Sequence, residues 1–207
     1  FLKSWLKKKI SITTSTVVSF LITGAVGGAA YGANTPGTGG GNSVAIGTTS
    51  KATPDGSVAV GTNAETVGTS GTVAVGSGAK ATGGLWTFPD KTRDEVDGVA
   101  IGKNAVAKLA VSVGPQSFSK DFGVSIGYKA GAENTTTGFS YSNIAIGSNT
   151  KVGVQGIQAS QGIAIGSGAK PGEGAWAKGD QSISIGANTE STGDSSIAIG
   201  GDDLKSV

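Results

Sequence analysis

The 207-residue sequence contains no cysteine, no histidine and no methionine, and only 14% of its residues are charged. The absence of cysteine and histidine excludes a disulfide framework, zinc-finger spacing, a Ser-His-Asp triad and a Cys-His pair. The sequence has no complete phosphate-binding loop and no calcium-binding nonapeptide, and its acidic residues show no fixed metal-ligating spacing. We therefore expect a protein that is not an enzyme, with no catalytic residue, no cofactor and no metal site.

Glycine, in contrast, is abundant: it occupies 37 of the 207 positions, more than twice its usual share of about 7%. A glycine inside a helix costs about 1 kcal/mol relative to alanine. The composition therefore argues against ordinary helix-rich packing, although the length is sufficient for a buried core.

The N-terminal region has the composition of a secretory leader. Four lysines lie within the first nine residues, residues 10–50 carry no charge, and residues 17–30 are largely apolar and end in small side chains. This order predicts a leader over residues 1–33 that is cleaved between Ala30 and Ala33. The alternative is a retained N-terminal anchor helix, in which Gly24 and Gly28 form a small-xxx-small pair.

The excess of basic charge is confined to that leader. Outside it lie 12 of the 16 lysines and arginines and all 14 aspartates and glutamates, so the remainder has a net charge of −2. This balance lacks the electrostatic footprint of a nucleic-acid-binding domain. We therefore expect no nucleic-acid partner, and an exported protein that is stabilised by packing rather than by disulfides.

A tetrapeptide of the form aliphatic–small–aliphatic–Gly occurs ten times, from VAIG at 44–47 to IAIG at 197–200. Consecutive copies begin 14, 15, 26, 12, 13, 20, 19, 20 and 14 residues apart, so the basic unit has about fourteen residues and four units carry insertions. The copies begin at Val44, Val58, Val73, Val99, Val111, Val124, Ile144, Ile163, Ile183 and Ile197. Such a repeat predicts a stacked solenoid, because one unit cannot cover its own apolar side chains.

Each unit is predicted to contain two short strands and two turns. The tetrapeptide alternates with period 2, and the residues three and five positions after its glycine are mostly small. We expect the Val and Ile side chains to lie between the two sheets, and the small central residues, such as Ala45 and Ala59, to face another chain. The glycine is expected at a corner that needs a positive φ, and ten rungs would form a column about 45 Å long.

The units NSVAIG at 42–47 and SSIAIG at 195–200 resemble the head repeats of trimeric autotransporter adhesins, the YadA-like head. The resemblance extends over residues 43–201. It implies an all-β fold, namely a left-handed parallel β-roll solenoid of about ten 14-residue rungs with loop insertions, three of which associate as a homotrimer. In that family a coiled-coil stalk and a C-terminal β-barrel anchor carry the head beyond the outer membrane.

On this resemblance, the chain divides into an extended signal peptide (1–33), a Gly-rich linker (34–42), the β-roll head (43–201) and a head exit toward a neck or stalk (202–207). Membrane attachment is then expected only through an anchor domain that this sequence does not include. The expected location is the cell surface or outer membrane of a Gram-negative bacterium.

The resemblance also implies a function in cell adhesion and virulence, with autoaggregation as a further activity. The implied partner is a host cell-surface receptor of the immunoglobulin type or a matrix protein such as collagen, fibronectin or laminin. Two other interpretations share the stacking physics: a passive or ice-binding β-solenoid with a Thr/Ser ladder, and a trimeric phage fibre. A β-helix acyltransferase does not fit, because it repeats in hexapeptides and uses a histidine base.

Five of the eight aromatic residues outside the leader are assigned to the insertions, and loops on a rigid scaffold often carry recognition residues. Packing is the alternative role for two of these aromatics, Trp86 and Trp176. Phe118 and Phe122 are expected at a corner or a subunit seam, and the mixed charges over 91–97 at a solvated surface. The candidate binding residues are Trp86, Phe88, Arg93, Phe139, Tyr141 and Trp176.

Overall fold

The part of the chain that the computed structural model describes is almost entirely the predicted head. The described residues are 42–87, 93–132, 142–153, 160–201 and 205–206. The predicted leader (1–33), the linker up to residue 41 and most of the predicted head exit (202–207) lie outside them. Every regular element in the described residues is a β-strand, so the all-β expectation is confirmed.

The ten tetrapeptides form one ten-stranded parallel sheet, called the first sheet below. Neighbouring copies pair residue for residue, with Val44 opposite Val58 and Ile185 opposite Ile199. The strands are β1 (Val44–Ile46), β3 (Val58–Val60), β5 (Val73–Val75), β9 (Val99–Ile101), β11 (Val111–Val113), β13 (Val124–Ile126), β15 (Ile144–Ile146), β17 (Ile163–Ile165), β19 (Ile183–Ile185) and β21 (Ile197–Ile199).

A second ten-stranded parallel sheet alternates with the first along the chain. One unit is therefore a rung of two strands and two turns, as predicted, and the stack of rungs is a β-roll. The strands are β2 (Lys51–Ala52), β4 (Glu65–Val67), β6 (Lys80–Thr82), β10 (Val106–Lys108), β12 (Phe118–Lys120), β14 (Gly131–Ala132), β16 (Lys151–Val152), β18 (Trp176–Ala177), β20 (Glu190–Ser191) and β22 (Lys205–Ser206).

The insertions leave the stacking register unchanged. The longest interval between tetrapeptides is 26 residues, yet Val73 still pairs with Val99 and Val75 with Ile101. The extra residues project at a turn and form an antiparallel hairpin of β7 (Gly84–Thr87) and β8 (Arg93–Val96). The fold therefore keeps its rungs adjacent whatever length of chain connects them.

The orientation of the tetrapeptide is the reverse of the expectation. The central Ala or Ser is buried in all ten copies, whereas the flanking Val and Ile side chains are exposed or half-buried. Ala45 and Ala59 are only 5% and 0% exposed. The prediction that Val and Ile fill the space between the sheets, with these alanines facing another chain, is therefore wrong.

The space between the two sheets is too narrow for branched apolar side chains. Among the described residues, every buried apolar side chain except Val152 and Pro54 is an alanine. The second strand also directs small residues inward, such as Ala52, Thr66 and Ser191. Larger side chains on both sheets would force the layers apart, so the Val and Ile side chains take the outer surface.

Buried hydroxyl groups in this thin interior bond across the turns. The Ser117 Oγ donates to the Gly114 carbonyl at 2.8 Å, and the Thr189 Oγ1 donates to the Gly186 carbonyl at the same distance. The Ser112 and Ser117 hydroxyls also bond to each other at 2.7 Å. Because these groups are satisfied, Ser and Thr can replace Ala at such positions at little cost, whereas the buried Ser119 hydroxyl has no hydrogen-bond partner among the described residues.

The tetrapeptide glycines form a column at the first turn of the rungs, as predicted. All ten have φ between +120° and +154°, a region that residues with a Cβ rarely adopt. A Cβ built on Gly102 would lie 2.6 Å from the carbonyl carbon and oxygen of Gly114 in the next rung. These glycines are therefore required both by the local backbone conformation and by the close stacking.

Three of the four insertions leave the roll at the second turn, which leads from the second sheet back to the first. The fourth lies at the first turn, between β17 and β18. The small residues three and five positions after the tetrapeptide glycine of that unit, Ala169 and Pro171, are exposed. Ala175 and Ala177 are buried in their place.

The glycine column gives a direct test of the stacking. We expect Gly102→Ala to lower the free energy of unfolding by about 3 kcal/mol, because the new methyl group meets the next rung at a strained φ. The measurement is the midpoint of urea unfolding followed by circular dichroism. Gly131→Ala is the matched control, since its Cβ would lie 4.0 Å from the nearest atom. A similar loss in both variants would contradict the role of the column.

Candidate binding surfaces

The outer side of the first sheet is a continuous apolar surface, called the aliphatic face below. It consists of the twenty Val and Ile residues that flank the buried centres of the ten strands. The most exposed are Ile199 at 63% and Ile197 at 57%. Nine strand spacings give this face a length of about 43 Å. A contiguous apolar patch of this extent on a soluble protein typically marks an interaction surface.

The hairpin of β7 and β8 packs back onto the second-turn edge of its own chain. The Trp86 and Phe122 rings meet edge to face, with 4.9 Å between their centroids, and the Leu109 side chain lies against Gly84. Leu109 and Phe122 have φ of +50° and +62°, values that are rare for bulky residues. The packing role considered for Trp86 is thus present within one chain, and Phe122 lies at a corner, as expected.

The opposite side of the hairpin is exposed to solvent. Leu85 is 59% exposed, and Arg93 is exposed opposite Thr87. The carboxylates at the base of the hairpin accept hydrogen bonds from the neighbouring rung, from Ser70 to Glu95 at 3.2 Å and from Thr69 to Asp97 at 3.1 Å. The expectation of a solvated charged surface is confirmed for residues 93–95 and 97, which are exposed.

Trp176 lies in a strand of the second sheet, so its assignment to an insertion is wrong. It pairs in register with Lys151, and its indole Nε1 donates to the Gly153 carbonyl at 2.9 Å. The Lys178 ammonium lies 4.0 Å from the ring centroid and the Lys151 ammonium 5.5 Å. Lys178 also forms an ion pair with Glu190, so the indole is held by a hydrogen bond and two cations.

The three candidate binding residues that the structure describes lie on two different surfaces. Trp86 and Arg93 lie on the hairpin, and Trp176 lies on the outer side of the second sheet. Phe88, Phe139 and Tyr141 lie outside the described residues. Phe118 lies neither on a loop nor at a corner, but on the outer side of the second sheet. Receptor binding by these residues therefore remains a prediction.

The outer side of the second sheet carries a set of lysines that neither the net charge nor the tetrapeptide repeat predicts. This surface, called the lysine face below, contains two glutamates, Glu65 and Glu190, against six lysines among the residues whose side chains the structure describes. The lysines are Lys51, Lys80, Lys108, Lys120, Lys151 and Lys178. A signal was present, because the fourth residue after the tetrapeptide glycine is Lys or Glu in several units.

The ion pairs of the lysine face leave part of its positive charge without a partner. Lys51 and Lys80 share the Glu65 carboxylate, at 3.9 and 3.8 Å, and line a groove of about 400 Å³ with it. Lys108 and Lys151 are exposed and form no ion pair within the described residues. A ligand carrying several negative charges would therefore meet unpaired ammonium groups.

Two further properties of the described residues bear on function. No three acidic side chains in this part of the chain gather where they could hold a metal ion. Likewise, none of these residues belongs to a helix with the length and apolar character needed to cross a bilayer.

The hairpin anchor can be tested by a double-mutant cycle. We expect Trp86→Ala and Phe122→Ala to show a coupling energy of about 1 kcal/mol in urea unfolding, because the two rings meet edge to face. A second cycle with Trp86→Ala and Phe118→Ala is the control, since Phe118 lies on a different surface and should not couple. Equal coupling in the two cycles would show that the ring contact is not the anchor.

Comparison with known proteins identifies the repeat. Residues 39–64 and 172–202 match the YadA head domain repeat, and these two stretches contain β1 to β3 and β18 to β21. No curated protein and no solved structure matches the chain. Heads of the YadA type form homotrimers and bind host matrix proteins, and the adhesins that carry them are outer-membrane proteins at the surface of Gram-negative bacteria. The two matched stretches lie within one stack of ten in-register rungs, so the family match supports a YadA-like trimeric autotransporter head.

Proposed function

We propose that this chain is an adhesive head that assembles as a homotrimer through its aliphatic face. In this proposal the 1–33 leader directs export, and the head is displayed at the surface of a Gram-negative bacterium. There it attaches to a host receptor of the immunoglobulin type or to a matrix protein, and contacts between heads produce autoaggregation. The observation that carries the proposal is the outward position of all twenty Val and Ile side chains of the first sheet.

Burial of the aliphatic face supplies the driving force for assembly. Moving one Val or Ile side chain fully out of water contributes about 1.5–3 kcal/mol. Alanines within the roll contribute little by comparison, so much of the apolar surface of each rung is still accessible to solvent. Three such faces around a common axis would cover one another and close with cyclic symmetry. The homotrimeric state of other YadA-type heads supports three copies rather than two.

This arrangement would leave the second sheet and the second-turn insertions on the outside of the trimer. The two sheets of each roll face in opposite directions, so a first sheet that faces the axis places the lysine face outward. Three copies of each exposed loop would then be available at once. Weak contacts of single loops combine under these conditions through a high effective concentration.

The alternative interpretations have less support. An ice-binding solenoid needs an ordered array of outward hydroxyl groups, but the outward strand positions of the first sheet are all Val or Ile. The inward Ser and Thr side chains of the described rungs are buried. A trimeric phage fibre would share the aliphatic face but would not need the predicted secretory leader.

Lysine substitutions on the aliphatic face test the trimer. We expect Val113→Lys combined with Ile146→Lys to convert the trimer to a monomer, because six ammonium groups would be buried in the assembly. Sedimentation analysis of the full chain at micromolar concentration measures the change. Val106→Lys is the control, since it adds a lysine to the outer side of the second sheet, where the adjacent rung already carries Lys80. A parent chain that sediments as a monomer would overturn the proposal.

Substitutions in the insertions test the adhesive role. We expect Phe139→Ala combined with Tyr141→Ala to reduce adhesion to collagen, fibronectin or laminin by about tenfold, since aromatic residues dominate binding hot spots. The readout is binding of the purified trimer to coated surfaces, with sedimentation to confirm that the trimer persists. Lys103→Ala at a first-turn edge serves as the control. Unchanged adhesion in the aromatic variant would exclude this loop as the binding site.

A further inference from the structure

We propose that the lysine face binds an extended anionic polysaccharide, a glycan with sulfate or carboxylate groups along its length. The inference rests on the proposed function in one respect: a trimer formed through the aliphatic face presents the lysine face to the surroundings. The ligand would lie along the stack of rungs, across successive strands of the second sheet. The pattern of charge on the lysine face defines the chemical class of this ligand.

Charge is segregated on a roll whose overall charge is negative. Outside the predicted leader the chain has 12 basic and 14 acidic residues, yet the described side chains of the lysine face include six lysines against Glu65 and Glu190. Asp121 also pairs with one of these lysines, Lys120, at 3.1 Å. Exposed acidic residues lie elsewhere, on the second-turn edge and the hairpin, and include Asp55, Asp97 and Asp194. The net charge of the chain therefore conceals a basic surface with a potential of its own.

The spacing of the lysines follows the spacing of the rungs. Lys108 and Lys120 are register partners on adjacent strands, about 4.8 Å apart along the stack. Lys51 and Lys80 occupy the same position two rungs apart, with Glu65 between them. A polymer with an anionic group on each repeating unit presents charges at a similarly regular interval. Several lysines can thus contact one chain, and each contact releases counterions from the polyanion.

The chemistry of the face favours a polysaccharide over a nucleic acid. All of its cations are lysines, which act as point charges, whereas the planar fork of arginine suits bidentate contacts with phosphates and bases. Binding of a single-stranded nucleic acid also uses open aromatic rings for stacking. The Trp176 ring carries the Lys178 ammonium 4.0 Å from its centroid, so it is not an open platform. The Phe118 ring is the other aromatic group on this face among the described residues, and one ring does not provide the succession of stacked bases that binding of a single strand uses.

The test measures binding of the full chain to immobilised heparin, used as a sulfated probe. The face variant combines Lys80→Gln, Lys108→Gln and Lys151→Gln, and we expect it to weaken binding by at least about tenfold and to flatten the salt dependence. The control variant combines Lys103→Gln, Lys129→Gln and Lys170→Gln, which removes the same charge from exposed first-turn lysines. We expect its affinity to change less than about twofold. Desulfated heparin, which keeps its carboxylates but loses its sulfates, should bind the parent chain more weakly than heparin.

Three outcomes would overturn the proposal. The first is a parent chain that does not bind heparin, and the second is an equal loss in the face and control variants, which would indicate attraction without a site. The third is tighter binding of duplex DNA at equal salt, lost in the same face variant, which would assign the surface to nucleic acid. Sedimentation of each variant separates this proposal from the preceding one: a trimer without heparin binding refutes only the glycan site, and a monomer that binds heparin refutes only the trimer.

Discussion

The narrow space between the two sheets is the constraint on which the rest of the structure depends. Alanine, serine and threonine fill it, and Val152 is the largest fully buried side chain among the described residues. Because such small side chains bury little apolar area, the Val and Ile residues of each rung lose contact with water only against another surface. Close stacking of the rungs likewise brings each tetrapeptide glycine against the backbone of its neighbour. The short distance between the two sheets thus determines both the composition of the core and the apolar character of the exterior.

Local properties of the repeat were predictable from the sequence, and the direction of its faces was not. The tetrapeptide spacing predicts two-strand rungs, in-register stacking and a positive-φ glycine, because each depends on neighbouring residues alone. Alternation with period 2 separates two faces of a strand without stating which is buried. Hydrophobicity favoured Val and Ile as the interior, but the distance between the sheets, a property of the whole fold, reversed that choice and buried Ala45 and Ala59.

The candidate surfaces were predictable only where a residue's surroundings could be inferred from its own segment. Trp86 was correctly placed in an insertion, but its ring partner, Phe122, comes from a later rung. Trp176 was misplaced because the length of an interval does not show at which turn the extra residues lie. The lysine face was missed because a net charge averages over all surfaces, whereas strand alternation separates them. In each case the missing information was which residues of different rungs lie next to each other, and this is defined only once the rungs are stacked.

Because the register is fixed, the length of the head and its exposed loops are altered by different changes in the sequence. Each rung joins the stack at fixed positions, and even the 26-residue interval leaves Val75 opposite Ile101. Gain or loss of one complete unit would therefore change the length of the roll by one strand spacing, about 4.8 Å, at constant cross-section. Insertion at a turn changes the exposed loops and leaves that length unaltered. The length of the roll, set by the number of rungs, and the exposed loops, set by the insertions, can therefore change independently.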